Sequence, residues 1–244
     1  SGFLNPADNQ NGAAFGVFAA LANGTVVEFP GVSKARLQVI HNAADVAADP
    51  VDVYLKNDTA DSVVVKLDDF AFRAASPFVD APAGVDLSVI VALPSSSGPT
   101  DGVVTTIPIG QLADMGKYVV FANGVLDPTQ FAANPEARST GFELLVKDMA
   151  QEESTSDNVE FFVLHGATDA PAVDVIARNV ATLVDNAAYT DRTGYIPVPA
   201  GSYVLDVTPA EDNETIVASF TADLSGLAGG SAVVFASGFL TPSA

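Results

Sequence analysis

Apolar residues in this chain come in short runs, many of them alternating with polar positions. "GVFAAL", "TVVEF", "RLQVIH", "VDVYL", "SVVVKL", "VDLSVIVAL", "VVTTIPI" and "KYVVFA" fall in the first half. "GFELLV", "VEFFVLH", "AVDVIA", "YIPVPA", "YVLDVT", "TIVASF" and "SAVVFA" fall in the second. Turn formers separate them: "NG", "PAG", "PSSSGPTDG", "AEDNE" and "AGG". Alternation with a period of two turns one face of a strand to a core. Short strands recurring every 8–12 residues or so, punctuated by Gly, Pro and Asn, predict an all-β sandwich or barrel. Long helical periodicity is missing. "IGQLADMG" and "ADLSGLAGG" have room for one helical turn or a tight loop. "PEARSTGFELLVKDMAQEE" has some helical spacing, but Gly141 and the "FELLV" run predict a strand there.

The pattern also repeats. "RLQVIHNAADVAADPVDVYL" aligns with "EFFVLHGATDAPAVDVIA", setting His41 on His165, Asp45 on Asp169 and Asp52 on Asp174. "FVDAPAGVDLSVIV" aligns with "YIPVPAGSYVLDVT", and "YVVFANGVLDP" with "AVVFASGFLTP". The offsets are 124, 117 and 114 residues, shrinking through loop deletions. Self-similarity of this kind decides the architecture. It predicts two tandem immunoglobulin-like antiparallel β-sandwich domains, over residues 33–128 and 159–244, joined by a segment at 129–158. Residues 1–32 form a tail resembling 123–155: "SGFLNP" matches "NGVLDP" and "SGFLTP", and "AAFGVFAALANGTVVEF" takes the place of "TGFELLVKDMAQEES". Either each tail leads into the body after it or it completes the body before it.

The histidine motifs "HNAADVAADPVDVY" and "HGATDAPAVDVI" are the strongest features. Each reads as a strand ending at His41 or His165. An aspartate then accepts backbone N–H groups in an Asx-turn, and Pro50 or Pro171 keeps the loop out of the ladder. "VDV" opens the next strand, its valines inward and its aspartate outward or bonded to the loop. In "PAG", proline presets φ, and Gly84 and Gly201 are expected at positive φ. The pattern H-x-x-x-D-A-P-x-V-D-V, followed by an aromatic near "PAG" and closed by "VVFASG", resembles the extracellular repeat family catalogued as domain of unknown function 4397. The likeness spans residues 36–125 and 159–240. The first copy departs by two inserted residues at Ala47-Ala48. The resemblance implies a β-sandwich, often tandem, on secreted or cell-surface proteins, with no catalytic residues to carry over.

Composition narrows the chemistry. Thirty acids face ten bases, a formal charge of −20. That field repels nucleic acid and anionic membrane. No cysteine is present, which removes disulfides, thiol nucleophiles and thiolate metal sites. No apolar run approaches the ~18 residues of a membrane span, and no leader pattern opens the chain, so any signal peptide is expected upstream or removed. Calcium is the one cofactor the acids could serve, through Asp45, Asp49, Asp52, Asp169 and Asp174, although no D-x-[DN]-x-[DN]-G loop occurs. Serine in a nucleophile elbow, P-loops and H-E-x-x-H are missing. Asp68-Asp69 and Glu152-Glu153 are neighbours in sequence, which strands send to opposite faces, so neither pair makes an acid–base dyad. Tyr189, Tyr195 and Tyr203 could form a sugar-stacking surface, but aromatics of this kind more often fill a core or its rim.

The expectation is therefore a non-enzymatic extracellular repeat of an adhesin, stalk or filament, with neighbouring repeats or copies of itself as partners. Calcium or surface-glycan binding is the alternative. The tail "AAFGVFAALANGTVVEF" is expected to supply strands to a body other than the one that follows it.

Overall fold

A computed structural model describes residue 10 and residues 12–242 of the chain; "SGFLNP" lies outside them. The fold is all-β. A lone hairpin, β1 (Val17–Ala20) and β2 (Val26–Phe29), comes first. The strands β3 (Lys34–Asn42), β4 (Val51–Asn57), β5 (Ser62–Phe70), β6 (Val79–Pro82), β7 (Asp86–Ala92), β8 (Val103–Gln111), β9 (Lys117–Asn123) and β10 (Glu143–Lys147) follow. They form two sheets, β10-β9-β3-β6 and β5-β4-β7-β8. Then come β11 (Val159–His165), β12 (Val173–Ala177), β13 (Ala181–Ala187), β14 (Ile196–Val198), β15 (Ser202–Pro209), β16 (Ala218–Asp223) and β17 (Ser231–Ala236). Their sheets are β14-β11-β17 and β13-β12-β15-β16.

The two sets share one wiring. Counted from β3 or from β11, the first, fourth and seventh strands share a sheet, and the third, second, fifth and sixth share the other. An immunoglobulin constant domain instead groups its first, second, fourth and fifth strands. The sheets are also not purely antiparallel. β3 runs parallel to β9, with His41 opposite Ala122, and β11 runs parallel to β17, with His165 opposite Ala236. Six chain reversals separate the first and seventh strands, so the seventh returns in the direction of the first.

Three apolar clusters stack the sheets. Leu37, Val53, Leu55, Leu87, Val89 and Val120 fill the space between the first two. Phe161, Val163, Val184 and Val198 do the same between the last two. Between these sandwiches, Ile40, Val119, Phe121 and Leu145 meet Phe162 and Leu164. Here Phe121 lies edge-on to Phe162 at 6.0 Å, a preferred aromatic geometry. The order is thus four layers, with β10-β9-β3-β6 and β14-β11-β17 inside.

The segment 123–155 completes the sandwich before it. "FELLV" forms β10, which pairs antiparallel with β9, Leu145 opposite Phe121. Its sequence counterpart near the N-terminus forms β1, which among the described residues is hydrogen-bonded only to β2. The sequences "IGQLADMG" and "ADLSGLAGG" form no helix.

Candidate functional site

Each histidine closes a strand whose chain must then cross to the opposite sheet, and the crossing loop supplies its partners. His41 is buried between Phe70 and Phe72, at centroid distances of 6.0 and 6.2 Å. Its Nε2–H donates to the Ala48 carbonyl at 2.6 Å. A carbonyl can only accept, so Nδ1 is left as the acceptor for the Ala43 N–H, at 3.3 Å. Both nitrogens are thereby engaged in the neutral tautomer. Burial pushes its pKa below the ordinary histidine value, outweighing the Ala48 bond and Asp49. His165 repeats the arrangement, donating from Nε2 to Pro171 O at 3.0 Å. Its Nδ1 is buried without a hydrogen-bond partner among the described residues. Burial depresses its pKa as well.

The motif aspartates fasten the exit of the seventh strand. Asp45 caps the short turn Val46–Ala48, accepting the Ala47 N–H at 2.9 Å through Oδ1. Its Oδ2 accepts the Leu126 N–H at 2.9 Å. Asp169 accepts the N–H groups of Leu240 and Thr241, at 2.7 and 2.8 Å. Leu126 and Leu240 are the same position of "NGVLDP" and "SGFLTP". The repeated exit motif and the repeated histidine motif are two halves of one clamp.

The "VDV" aspartates serve a second device. Asp52 and Asp174 are buried and accept the N–H groups of Asp69 (2.9 Å) and Asn186 (2.6 Å). Those donors sit in the left-handed region, at φ +47° and +52°, where the ladder shifts register beside Val51 and Val173. Each aspartate satisfies an N–H that a bulge removes from the ladder. Asp52 also accepts from the Ser96 hydroxyl at 2.6 Å, and Ser96 in turn accepts from Tyr54 at 2.7 Å. Burial acts to raise the Asp52 pKa, but the Ser96 and Asp69 hydrogen bonds and the charge of Lys66 hold it below the usual carboxylate range. Asp49 is exposed and accepts the Phe72 N–H at 2.8 Å.

The five acids considered for calcium thus each face backbone N–H donors. Among the described residues no group of three or more His, Asp or Glu side chains could hold a metal ion. Pro50, which follows Asp49 through a cis peptide, and Pro171 both lie in the crossing loops. Gly84 takes the expected positive φ, +69°, but Gly201 does not. Its turn is closed by Tyr203, whose hydroxyl donates to Pro199 O at 2.6 Å. The three tyrosines do not share a surface. Tyr189 is buried, Tyr195 packs between the sandwiches and Tyr203 borders the C-terminal core.

Sequence reasoning missed a polar knot where the sandwiches meet. Asn42 donates to Asn123 Oδ1 at 2.8 Å, and Asn123 donates to the Tyr189 hydroxyl at 2.8 Å. Arg138 reaches across to Tyr189 O and to Asp191 at 2.6 Å. Asn42 and Asn123 are the last residues of β3 and β9 and pair with each other there, beside His41 and within "FANG". Only the contact between repeats reveals their role.

Two hollows adjoin these residues. A cavity of about 10 Å³ beside His41 is lined by apolar side chains including Val39, Phe70 and Val120. A surface depression of about 290 Å³ is lined by Pro128, Asn134, Arg138 and Thr140, and its one charged group, Arg138, is the residue committed to Asp191. The arrangement turns the backbone, clamps strand exits and joins two sandwiches.

No curated protein matches the chain. A solved structure described as the Bacillus anthracis TIE protein is similar at 12% identity and a TM-score of 0.25; the likeness covers 88% of this chain, which spans 37% of that one. Residues 159–242 match the family model described as "Domain of unknown function (DUF4397)", the family that the histidine motif resembles.

Proposed function

We propose that the chain is a non-enzymatic structural or adhesive unit of the cell exterior, made of two tandem copies of one β-sandwich domain and acting through assembly with further copies. The observation that carries this reading is where the most site-like residues spend their polar atoms. His41, Asp45, Asp52, Asp169 and Asp174 all bond to backbone within the fold. A catalytic or ligand site needs convergent polar groups facing a cleft. Here the convergence is inward, and it fixes the seventh strand and the turn into the second. The mechanical consequence is a stiff four-layer body, joined by Phe121, Phe162 and Phe235 rather than by a free linker.

The charge of −20 fits an exposed, soluble surface that repels its like except where apolar edges meet. The family resemblance supports a location outside the cell. Immunogold labelling of intact cells of the source organism tests this. Surface gold is expected on whole cells without permeabilisation, and gold appearing only after permeabilisation would refute the location.

A further inference from the structure

The contact between the sandwiches uses the same face of each. Ile40 and Leu164, Val119 and Val233, and Phe121 and Phe235 are equivalent positions of the two repeats. All of them pack in the apolar cluster between the sandwiches. A head-to-tail stack of repeats would join two different faces. A face that meets its own equivalent is isologous, the signature of a two-fold axis.

Individual contacts obey that axis. Phe121 meets its own equivalent, Phe235, at 6.2 Å. Asn42 meets its own equivalent, Gly166, through the Gly166 carbonyl at 3.4 Å. Away from the axis, contacts come in exchanged pairs. Tyr189 of the C-terminal sandwich accepts from Asn123, at the strand exit of the N-terminal one. From the other side, Arg73 of the N-terminal sandwich donates to Ser237 O at 3.0 Å, at the equivalent strand exit. Residues 72–73 and 189–190 are equivalent too. Arg73 and Thr190 donate their N–H groups to the His41 and His165 carbonyls, at 2.8 and 2.7 Å. Phe72 and Tyr189 stand edge-on to those histidine rings, at 6.2 and 6.5 Å.

The side chains break the axis where the two repeats cross it. The N-terminal repeat carries Asn42 there and the C-terminal repeat Gly166. Asn42 is buried, and its amide, bonded to Asn123 Oδ1, fills the space over Gly166. A Cβ added at Gly166 would overlap Asn42 Nδ2. Gly166 is not at positive φ, so it is the neighbour, not the backbone, that demands glycine. Two N-terminal faces brought together would set two Asn42 amides in one place. Two C-terminal faces would leave that place empty.

We infer that the inner face of each sandwich is a self-complementary docking surface whose partner is the same face of another repeat, and that Asn42 and Gly166 select a mixed pair. Selection works by exclusion as well as by fit, since the like pair of N-terminal faces is sterically barred. The two repeats of this chain satisfy each other, and an isologous contact, once made, does not propagate. Further copies therefore join through other surfaces. The inference goes beyond the proposed assembly role and does not rest on it.

Calorimetry of the full chain tests the axis by transposition. Gly166→Asn sets a second amide on the axis and is expected to lower the melting temperature by about 5–10 °C, as an overpacked buried site does. That loss alone decides nothing, because a Cβ at 166 also comes within 2.7 Å of Ala236 O in its own sandwich. Rescue decides it. Adding Asn42→Gly transposes the pair: the introduced amide lies over residue 42, with Ser237 in the place of Asn123, and most of the lost melting temperature returns. Adding Asn42→Ala instead removes the Asn42 amide but leaves a Cβ where the transposed amide must lie, so melting stays low. Alanine is the better strand residue, so the axis alone predicts that glycine rescues more. Equal recovery with glycine and alanine would reduce the effect to relief of a clash and overturn the two-fold pairing. A Gly166→Asn chain as stable as the native one, or no recovery with Asn42→Gly, failure to fold included, would overturn it too. None of these outcomes depends on where the protein resides, so surface location stands or falls separately.

Discussion

The carboxylate of Asp169 accepts the backbone N–H of Leu240 at 2.7 Å across 71 residues of chain, as Asp45 accepts that of Leu126 at 2.9 Å across 81. These are charge-assisted bonds to amides at a strand exit, roughly twice as strong as neutral ones. Asp45 is buried, so truncating it strands the Leu126 and Ala47 N–H groups. We expect Asp45→Ala to lose about 2–3 kcal/mol of stability, and Asp169→Ala, which is half-buried, to lose less. Urea unfolding monitored by tyrosine fluorescence reads both, and equal losses would contradict the burial argument.

The same occupancy predicts how the protein treats calcium. Oxygen-rich cages of six to eight ligands are what calcium needs, and Asp45, Asp49, Asp52, Asp169 and Asp174 already receive N–H donors. Melting temperature is expected to be the same in calcium and in EDTA. A rise with calcium that saturates at a defined stoichiometry would instead support calcium binding.

Acid should weaken the fold in two stages. Burial holds His41 and His165 below the ordinary value of 6.5. Above that pH both are neutral in the folded and unfolded states. As pH falls below 6.5 the unfolded chain takes up protons the native protein refuses, so stability declines. Asp206 behaves oppositely in origin: Arg178 and Ser219 hold its pKa at about 2. Its contribution is full above the unfolded value of 3.8 and is lost as pH falls toward 2. Urea midpoints measured from neutral to acid pH should therefore fall first near pH 6 and again below about pH 4. The His41→Gln, His165→Gln double variant, less stable at neutral pH, should flatten the first decline only.

How much of this was legible beforehand differs by element. The strands were, because valine, isoleucine and aromatic runs with Gly, Pro and Asn between them have few other uses. The strand identity of "FELLV" was legible because Gly141 and two β-formers outweighed its weak helical spacing. The roles of Asp45 and Asp169 as turn acceptors were half legible. The local turn follows from sequence, but the bonds to Leu126 and Leu240 span more than 70 residues, and no local pattern encodes them. Sheet membership was not legible. Sequence alternation fixes which face of β3 is apolar, yet Ile40 points to a second apolar surface, and only tertiary packing distinguishes the sandwich interior from the contact between sandwiches. The parallel pairing of β3 with β9 was hidden for the same reason. Asp69 looked like half of an adjacent acid pair, whereas its N–H, turned by φ +47°, is the functional atom.

The contact between sandwiches should make them unfold as one. Phe121 is fully buried, edge-on to Phe162 at 6.0 Å and to Phe235 at 6.2 Å. Phe121 lies on β9 and its two partners on β11 and β17, so the aromatic cluster belongs to neither sandwich alone. Truncating a buried phenylalanine typically costs about 3–5 kcal/mol, including the cavity left behind. In Phe121→Ala much of that loss falls on the coupling between sandwiches rather than on either core, since Val53, Leu55 and Val89 on one side and Phe161 and Val163 on the other keep their neighbours. We therefore expect the native protein to melt in a single calorimetric transition and Phe121→Ala to split it in two. Leu87→Ala, which lies in the N-terminal core, should lower the transition without splitting it. A single unsplit transition in Phe121→Ala, lowered as in Leu87→Ala, would mean that the remaining contacts between the sandwiches, Ile40, Val119 and Leu145 against Phe162 and Leu164 together with the polar knot of Asn42, Asn123 and Tyr189, suffice to couple the two halves.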